Sequence, residues 1–528
     1  MNRLIKFFLD LDQARHRAQA LAFERRQQAT TAVRRSIEDV IRSLDGGDTV
    51  SVFELPDRQS LKISRRLFRR HAVLLGSTGH GKSVCAMSLL IAEIDRALDT
   101  AVLSGKPLDI EIMVIDIKDD ICTFKQRIAA IFHLASVPKR EVMRSAFHLI
   151  QWKHSGITLR PLLVPRPGVS IEYVAELQAD IVVQTSPSDW SDSLRFLLFQ
   201  MLRLLLQHDF AFDGPTVIAI LTDETFRLTL TNTLPVDLAE FFTRLAQLMA
   251  PQTIAAFIRR VLIFCAYREV AASICIPWTI ARDLQLPTGA PIVLADCGSR
   301  SLLPPNVALA EANALITELL LAARARDPRV PLIAYIEEAL YLLTLLPSLR
   351  QRVLDGLRLL RSSGTSVWFS AQSFASFPGA AVSEILNNIG FLVAFQSRSD
   401  VADMLFPQML VQASETRSKT DRRDEFASQL ASLPPQEAVL WVKPEPAIRV
   451  RSSDVQSPSV TTGLSGSALE DIFDRELTPR STISLDRAES LMADWRAAHL
   501  PQAKGGKHQD AATQASLRSL LGLGEEHR

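Results

Sequence analysis

The sequence predicts an α/β fold in which a mostly parallel sheet is covered by helices on both faces. Short apolar segments alternate with segments of helical periodicity over residues 59–169 and again over 289–453, and this alternation is typical of parallel sheets. A glycine-rich segment, GSTGHGKS at 76–83, lies between the first of these apolar segments and a helical one. The 528 residues, 47% of them hydrophobic, are enough for two or three domains with a large core.

The predicted strands follow from short apolar runs that end in polar or acidic residues. They are expected at 71–75, 110–117, 290–297, 330–338, 365–372 and 390–397, with a last pair, EAVLWVK and AIRVRS, ending near residue 453. A helix is expected from about Lys82 to Ala97, directly after the glycine-rich segment. The order of strand, glycine-rich turn and helix is therefore predicted at the start of the sheet.

Five parts of the chain are predicted from these patterns. They are an N-terminal helical extension (1–58), the first part of an α/β core (59–169), an all-helical insertion (170–288), the second part of that core (289–453) and a largely disordered tail (454–528). The helical extension is predicted from apolar residues at helical spacing between Val33 and Leu44. It is expected either to pack on the core or to bind a partner. The tail is rich in Ser, Thr, Gly and Gln, with one short helix predicted near 483–498.

Composition and charge exclude several classes of protein. A net charge of +1 gives no global field that would draw the chain to nucleic acid, so any contact with DNA must come from local segments. Five scattered cysteines without a C-x-x-C pair argue against a disulfide framework and against a zinc site. No stretch of about 18 consecutive apolar residues occurs, and the N-terminus lacks the features of a signal peptide. We therefore expect a cytoplasmic protein with no integral membrane segment.

The segment from Gly76 to Ser83 reads G-x-x-x-x-G-K-S, the pattern of a phosphate-binding loop. Glycines let the backbone curl so that successive N–H groups point at one anion, and the following helix adds its positive end. Lys82 would reach the β- and γ-phosphates of a nucleoside triphosphate, and Ser83 would bind Mg²⁺ through its hydroxyl. The predicted nucleotide-binding residues are Gly76, Ser77, Thr78, Gly79, His80, Gly81, Lys82 and Ser83.

Acidic and amide side chains at the ends of other predicted strands supply the second half of such a site. Glu337 and Glu338 follow the apolar run LIAYI; Glu337 would bind the metal together with Ser83, and Glu338 would polarise the attacking water. Asp116 ends a second apolar strand, although a helix cap or turn residue is an alternative interpretation. Gln372 ends a third and would hydrogen-bond water or the γ-phosphate.

Seven segments of the chain occur in an order that is characteristic of a known superfamily. They are HAVLLGSTGHGKSV, VIDIKDD, LRPLLVP, PIVLADCGS, LIAYIEEA, RSSGTSVWFSAQS and EILNNIGFLVAFQSRSD. Together they resemble the HerA/FtsK superfamily of P-loop ATPases, and most of all its HerA-like branch, over roughly residues 60–165 and 288–450. The resemblance implies a RecA-like motor, usually a hexameric ring, that pumps double-stranded DNA. A related branch of the superfamily serves conjugation and type IV secretion.

The resemblance also implies roles for individual residues. Glu337 and Glu338 match the Walker B acids of the superfamily, and Gln372 matches its sensor glutamine. Asp116 matches an aspartate at the end of a neighbouring strand. Arg361 is similar in position to an arginine finger that reaches the nucleotide of a neighbouring subunit, but other arginines share its helix, so a surface arginine is the alternative.

Three features depart from the pattern of the superfamily. His80 replaces a small residue in the loop, Leu340 replaces a histidine after the acidic pair, and the chain before residue 70 is too short for the β-barrel of HerA. These departures argue against a direct assignment to DNA-end processing with a nuclease partner. They leave the prediction of ATP hydrolysis with Mg²⁺ unaffected.

Three functions are consistent with this pattern. The first is an ATP-driven homo-hexameric ring that translocates double-stranded DNA in repair, defence or a mobile element; a basic loop at 415–425 is a candidate DNA contact or simply a solvated surface. The second is a conjugation or type IV secretion ATPase that works with a membrane-bound secretion component. The third is an ATP-gated regulator that assembles a partner effector such as a nuclease.

Overall fold

The computed structural model describes most of the chain between residues 49 and 501. The described ranges are 49–55, 60–118, 120–154, 156–162, 164–165, 168–283, 291–298, 301–323, 326–375, 377–406, 419–443, 447–452, 457–479 and 481–501. Residues 1–48 of the predicted N-terminal helical extension lie outside them, as does the last part of the predicted tail.

Every strand predicted from an apolar run has a counterpart in the structure. In chain order the strands are β1 Thr49–Glu54, β2 Ser60–Ser64, β3 Ala72–Leu75, β4 Glu111–Asp116, β5 Phe147–Ile150, β6 Trp152–Lys153, β7 Gly156–Ile157, β8 Ile292–Asp296, β9 Leu332–Ile336, β10 Thr365–Ala371, β11 Phe391–Ala394, β12 Glu437–Val442 and β13 Ile448–Ser452. The strands β1, β2, β5, β6 and β7 were not predicted. Their apolar runs are short or interrupted by polar residues.

Helices fill most of the remaining described sequence. In chain order they are α1 Lys82–Ser104, α2 Ile121–Leu134, α3 Val137–Ala146, α4 Ile171–Gln184, α5 Asp192–His208, α6 Gly214–Thr222, α7 Glu224–Thr231, α8 Val236–Thr243, α9 Leu245–Leu248, α10 Pro251–Phe264, α11 Arg268–Ser273, α12 Trp278–Asp283, α13 Pro305–Ala323, α14 Ala339–Leu345, α15 Pro347–Ser362, α16 Gly379–Asn388, α17 Ser399–Leu405, α18 Lys419–Ala431, α19 Pro458–Thr462, α20 Gly466–Ile472 and α21 Leu485–His499. The chain folds into two compact units.

The first unit contains the described residues up to Ile112 together with Arg326–Leu345 and Val353–Gly463. Its strands lie in the order β2, β1, β13, β12, β11, β3, β10, β9. The strands β11, β3, β10 and β9 are parallel, and the four others are added antiparallel at one edge. The predicted parallel sheet with flanking helices is therefore confirmed, with an antiparallel extension.

The strand β1 corrects one part of the sequence prediction. It lies at 49–54, inside the range 1–58 that the sequence analysis assigned to a helical extension. Its backbone pairs with β2 on one side and with β13 on the other, with Phe53 opposite Ser452. Pairing with neighbouring strands decides the conformation of β1, and one of them, β13, is distant in sequence. The helical periodicity of the residues before β1 does not indicate these partners.

The register of the parallel strands determines where the first unit brings polar residues together. Leu75, the last residue of β3, lies opposite Ala371 at the end of β10. Phe369 of β10 lies opposite Ile336, the last residue of β9. The segments that follow β3, β9 and β10 therefore leave the sheet at one edge.

The second unit contains Met113–Ala325, Leu346–Arg352 and the chain from Leu464 on. Its strands lie in the order β4, β8, β5, and β5 pairs in parallel with β8. The described residues between Ile171 and Asp283 form α4–α12, which lie within the predicted all-helical insertion. The helix α13 is long and apolar enough to cross a membrane, but 72% of its most apolar window is buried inside the protein, as in the core helix of a globular domain.

The tail differs from its prediction as a largely disordered segment. In the described residues from 457 to 501 it forms α19, α20 and α21, of which α21 corresponds to the helix predicted near 483–498. The aromatic rings of Phe473 and Trp495 are buried. The serines and glycines that suggested disorder act as helix caps: Ser465 accepts a hydrogen bond from the N–H of Ala468, and Gly463 ends α19 in the left-handed conformation.

Two glycines with the same backbone conformation offer a test of this fold. Gly364, between α15 and β10, has φ +72°, and a Cβ there would lie 2.7 Å from the carbonyl oxygen of Pro328. Gly463 also has φ +72°, but nothing lies within 4 Å of its Cβ position. We expect Gly463→Ala to lower the free energy of unfolding by about 1 kcal/mol. Gly364→Ala should lower it by about 3 kcal/mol, because the steric clash adds to the same conformational cost.

Urea unfolding of the two variants measures this difference directly. Equal midpoints for Gly364→Ala and Gly463→Ala would contradict the tight turn between α15 and β10.

Candidate nucleotide-binding site

The glycine-rich loop connects β3 to α1 and is anchored to the sheet by its first two residues. The N–H of Gly76 donates to the carbonyl oxygen of Ala371 at 3.1 Å, and the N–H of Ser77 donates to that of Gln396 at 2.8 Å. A Cβ at position 76 would lie 2.7 Å from the Cβ of Phe395. Only glycine therefore fits at the start of the loop without moving the backbone next to β11.

The middle of the loop presents backbone donors at the start of α1. Gly79 and Gly81 have φ values of +84° and +104°, which residues with a Cβ rarely adopt. Within the described part of the chain, the N–H groups of Thr78, Gly79 and Gly81 have no hydrogen-bond acceptor. Curled N–H donors in front of a helix fit a phosphate group.

His80, the residue that departs from the superfamily pattern, stabilises the loop itself. Its N–H donates to the carbonyl oxygen of Ser77 at 3.4 Å, and its own carbonyl accepts from the N–H of Gln436 at 3.0 Å. Its imidazole Nδ1 lies 3.1 Å from the carbonyl oxygen of Thr78. The side chain therefore contacts a carbonyl oxygen of the loop and forms no hydrogen bond with the N–H groups of Thr78, Gly79 and Gly81 among the described residues.

Lys82 is the first residue of α1, and its side chain is only 4% exposed. Its ammonium nitrogen lies 3.1 Å from Oε1 of Glu338 and 3.4 Å from Oε1 of Glu337. The structure thus brings together the lysine and the acidic pair that the sequence placed more than two hundred residues apart. One ammonium and two carboxylates leave an excess negative charge, which favours a divalent cation at this place.

Ser83 and Glu337 form the metal-binding half of the site. The hydroxyl of Ser83 donates to Oε1 of Glu337 at 3.2 Å. Hydroxyl and carboxylate oxygens are the ligands that Mg²⁺ prefers in proteins. The two residues predicted to hold Mg²⁺ are therefore adjacent and chemically suited to it.

Two side chains that the sequence analysis missed contact the same carboxylate. The hydroxyl of Tyr335 donates to Oε2 of Glu337, and the hydroxyl of Ser370 donates to Oε1 at 3.1 Å. Alternation along a strand could have identified Tyr335, because residues two apart face the same side. Ser370 lies on β10, two residues before Gln372, so the same alternation could have identified it.

Glu338 is the second residue after β9, and its carboxylate lies 3.1 Å from the ammonium of Lys82. Its φ of +48° is in the left-handed region, which is uncommon for a residue with a side chain. The amide of Gln372 donates to its Oε1 at 3.3 Å. The predicted water-polarising acid and the predicted sensor glutamine are therefore in direct contact.

Asp116 belongs to the second unit, and its contacts support the alternative that the sequence left open. Its Oδ1 accepts from the N–H of Lys118 at 2.8 Å, and its Oδ2 accepts from the N–H of Ile121 at 2.6 Å. Asp116 is 2% exposed. Its carboxylate holds the turn after β4 and the first turn of α2.

Arg361 is not near the loop of its own chain. It is exposed on α15 and precedes β10, whereas Gln372 follows that strand. Seven residues of extended strand separate the two ends by about 20 Å. Any contact of Arg361 with nucleotide must therefore involve a second chain.

The basic segment predicted as a loop at 415–425 is helical where it is described. Residues 415–418 lie outside the described ranges, and α18 begins at Lys419. Arg423 on this helix forms an ion pair with Asp403. Part of the basic charge that suggested a DNA contact is thus already paired.

Comparison with known proteins supports the fold of the chain. No protein-family model and no curated protein matches the sequence. Among solved structures, VirB4 of Thermoanaerobacter pseudethanolicus aligns with 78% of this chain and 98% of its own at 12% identity, with a TM-score of 0.51. The bacterial conjugative coupling protein TrwB, in an unbound form, aligns with 80% of this chain and 92% of its own at 14% identity, with a TM-score of 0.48. The likeness to VirB4 is one of fold, and at that level the predicted RecA-like P-loop core is confirmed.

Proposed function

We propose that this chain binds ATP with Mg²⁺ at the loop of residues 76–83 and hydrolyses it. The observation that carries the proposal is the convergence of Lys82, Ser83, Glu337, Glu338 and Gln372 at one edge of the sheet, within hydrogen-bond distance of one another. Each residue type matches a separate requirement of phosphoryl transfer. The fold likeness to VirB4 agrees with this assignment.

The loop and Lys82 bind the phosphates in this proposal. The N–H groups of Thr78, Gly79 and Gly81 donate to phosphate oxygens, and Lys82 exchanges its carboxylate partners for the β- and γ-phosphates. Ser83 and Glu337 hold Mg²⁺. When bound, Mg²⁺ neutralises phosphate charge and stabilises the charge that develops in the transition state.

Glu338 and Gln372 orient the attacking water. Glu338 accepts a proton from that water as a general base while the water oxygen bonds to the γ-phosphorus and ADP leaves. The carboxylate of Glu338 contacts Lys82, which would bind the phosphates, and Glu337 is assigned to the metal. Gln372 keeps Glu338 in place through its amide and donates to the same water or to the γ-phosphate.

We further propose that the ATPase works as a homo-hexameric motor of the conjugation or type IV secretion kind, on the cytoplasmic side of the membrane and with a secretion component as its partner. The fold likeness to VirB4 favours this reading over translocation of double-stranded DNA by a free ring. The exposed Arg361, about 20 Å from the site of its own chain, supports a ring in which it completes the site of a neighbour. Translocation of double-stranded DNA is the second candidate, on the strength of the HerA-like order of segments.

Lys82→Ala tests the phosphate-binding role. We expect nucleotide affinity to fall ten- to a hundredfold, since a charge-assisted hydrogen bond contributes about 1.5–3 kcal/mol, and ATP hydrolysis to fall below detection. Binding of a fluorescent ATP analogue and release of phosphate measure the two effects. Lys62→Ala, at an exposed position on β2, is the matched control and should leave both unchanged. Unaltered affinity in Lys82→Ala would refute the assignment of the loop.

Glu338→Gln separates hydrolysis from binding. The amide keeps the size of the side chain but cannot accept the proton, so we expect turnover to fall by roughly 10²–10⁴ while nucleotide affinity changes little. Single-turnover hydrolysis measures the rate. Glu240→Gln, which alters an exposed carboxylate paired with Arg244, is the control. A Glu338→Gln protein that hydrolyses ATP at the normal rate would show that another group activates the water.

Arg361→Ala tests the shared site. We expect turnover to fall by roughly 10³ or more, with Arg358→Ala as the control, since Arg358 is exposed on the same helix. Mixing Arg361→Ala with Lys82→Ala subunits should restore part of the activity, because some interfaces then combine an intact loop with an intact arginine. Light scattering gives the mass of the assembly. A fully active monomer would contradict the ring.

Turnover with and without double-stranded DNA distinguishes the two candidate functions. A rate that does not respond to DNA favours the secretion motor, whereas a several-fold increase favours DNA translocation.

A further inference from the structure

Tyr335 is a buried tyrosine on the strand that leads to the acidic pair. Its side chain is 1% exposed, and it faces the same side of β9 as Glu337, two residues later. A phenol hydroxyl in such a place needs a hydrogen-bond partner. Tyr335 donates to Oε2 of Glu337.

Ser370 approaches the same carboxylate from the neighbouring strand. It is fully buried on β10, and its hydroxyl lies 3.1 Å from Oε1 of Glu337. The parallel register of β9 and β10, with Ile336 opposite Phe369, brings the two side chains together. Both oxygens of Glu337 therefore accept hydrogen bonds from neutral donors on two different strands.

Burial explains why these donors matter. Glu337 is 1% exposed, and a carboxylate in such surroundings costs free energy unless hydrogen bonds replace its water. Lys82 supplies part of that compensation at 3.4 Å. In the proposed function Lys82 turns to the phosphates, and the hydroxyls of Tyr335 and Ser370 then remain as fixed partners of Glu337.

We propose that Tyr335 and Ser370 are positioning residues that hold Glu337 in the one orientation in which its Oε1 faces Ser83 and the metal. The inference deepens the proposed function and rests on its assignment of Ser83 and Glu337 as metal ligands. Tyr335 anchors Oε2 and so fixes the rotation of the carboxylate. Ser370 sets the direction of Oε1, which lies 3.2 Å from the hydroxyl of Ser83.

The test uses Tyr335→Phe and Ser370→Ala, which remove one hydroxyl each and keep most of the packing. Mn²⁺ serves as the metal probe, titrated by electron paramagnetic resonance in the presence of ADP. We expect about tenfold weaker Mn²⁺ binding in each variant, as is typical when a partner of a metal ligand is lost. The binding of ADP in the presence of a chelator should stay unchanged. Tyr267→Phe, at a tyrosine that is 50% exposed, is the matched control.

The split between the two readouts distinguishes positioning from a general structural role. Weaker binding of Mn²⁺ and of metal-free ADP to the same extent would overturn the inference, since it indicates a distorted loop. Unchanged Mn²⁺ affinity in both variants would overturn it as well. If the wild-type protein binds Mn²⁺ with ADP but does not hydrolyse ATP, the proposed ATP hydrolysis is refuted. The roles of Tyr335 and Ser370 are then still decided by the Mn²⁺ affinity of the two variants.

Discussion

The buried charge cluster around Lys82 is the constraint on which the site depends. Glu337 and Glu338 are 1% and 8% exposed, and burying two carboxylates costs free energy unless a cation and hydrogen-bond donors replace their water. Lys82 provides the cation, and its position at the first residue of α1 is set by the loop that precedes it. The burial of the two acids therefore depends on Lys82, and the position of Lys82 depends on the geometry of the loop and on where α1 begins.

An unusual backbone conformation allows two consecutive acids to serve the same site. In a regular strand, successive side chains point to opposite faces of the sheet. The left-handed φ of +48° at Glu338 breaks this alternation directly after β9, so that both carboxylates come within 3.4 Å of Lys82. A residue with a Cβ in this region costs about 1–2 kcal/mol. The ion pair with Lys82 and the hydrogen bond from Gln372 are the interactions that offset this cost.

The parts of the structure that local pattern determines could be predicted from the sequence. The strands β3 and β9 are continuous apolar runs because they are covered on both faces, and the polar residues that end them fall where the strands end. Gly76 and Lys82 belong to a loop whose chemistry is fixed by eight consecutive residues. This is why both halves of the site could be identified before their contact was known.

Partners distant in sequence account for what the sequence did not predict. Alternation places Tyr335 on the same side of β9 as Glu337, but the hydrogen bond between them is known only from the structure. The pairing of β1 with β13 joins segments about four hundred residues apart, and no periodicity near either one indicates it. The role of Asp116 as a cap depends on where α2 begins, a boundary that sequence patterns give only to within a few residues.

The strand β10 runs from the site to the opposite edge of the sheet in the first unit. All seven of its residues are buried, and its amino end is held by the N–H of Val367 donating to Nδ1 of His71 at 2.9 Å. Burial lowers the pKa of His71 to about 4, so the ring stays neutral and Nδ1 remains an acceptor at physiological pH. Gln372 stands at one end of this strand and Arg361 just before the other. In the proposed ring, this buried strand would lie between the nucleotide site of its own subunit, next to Gln372, and the arginine that completes the site of a neighbour.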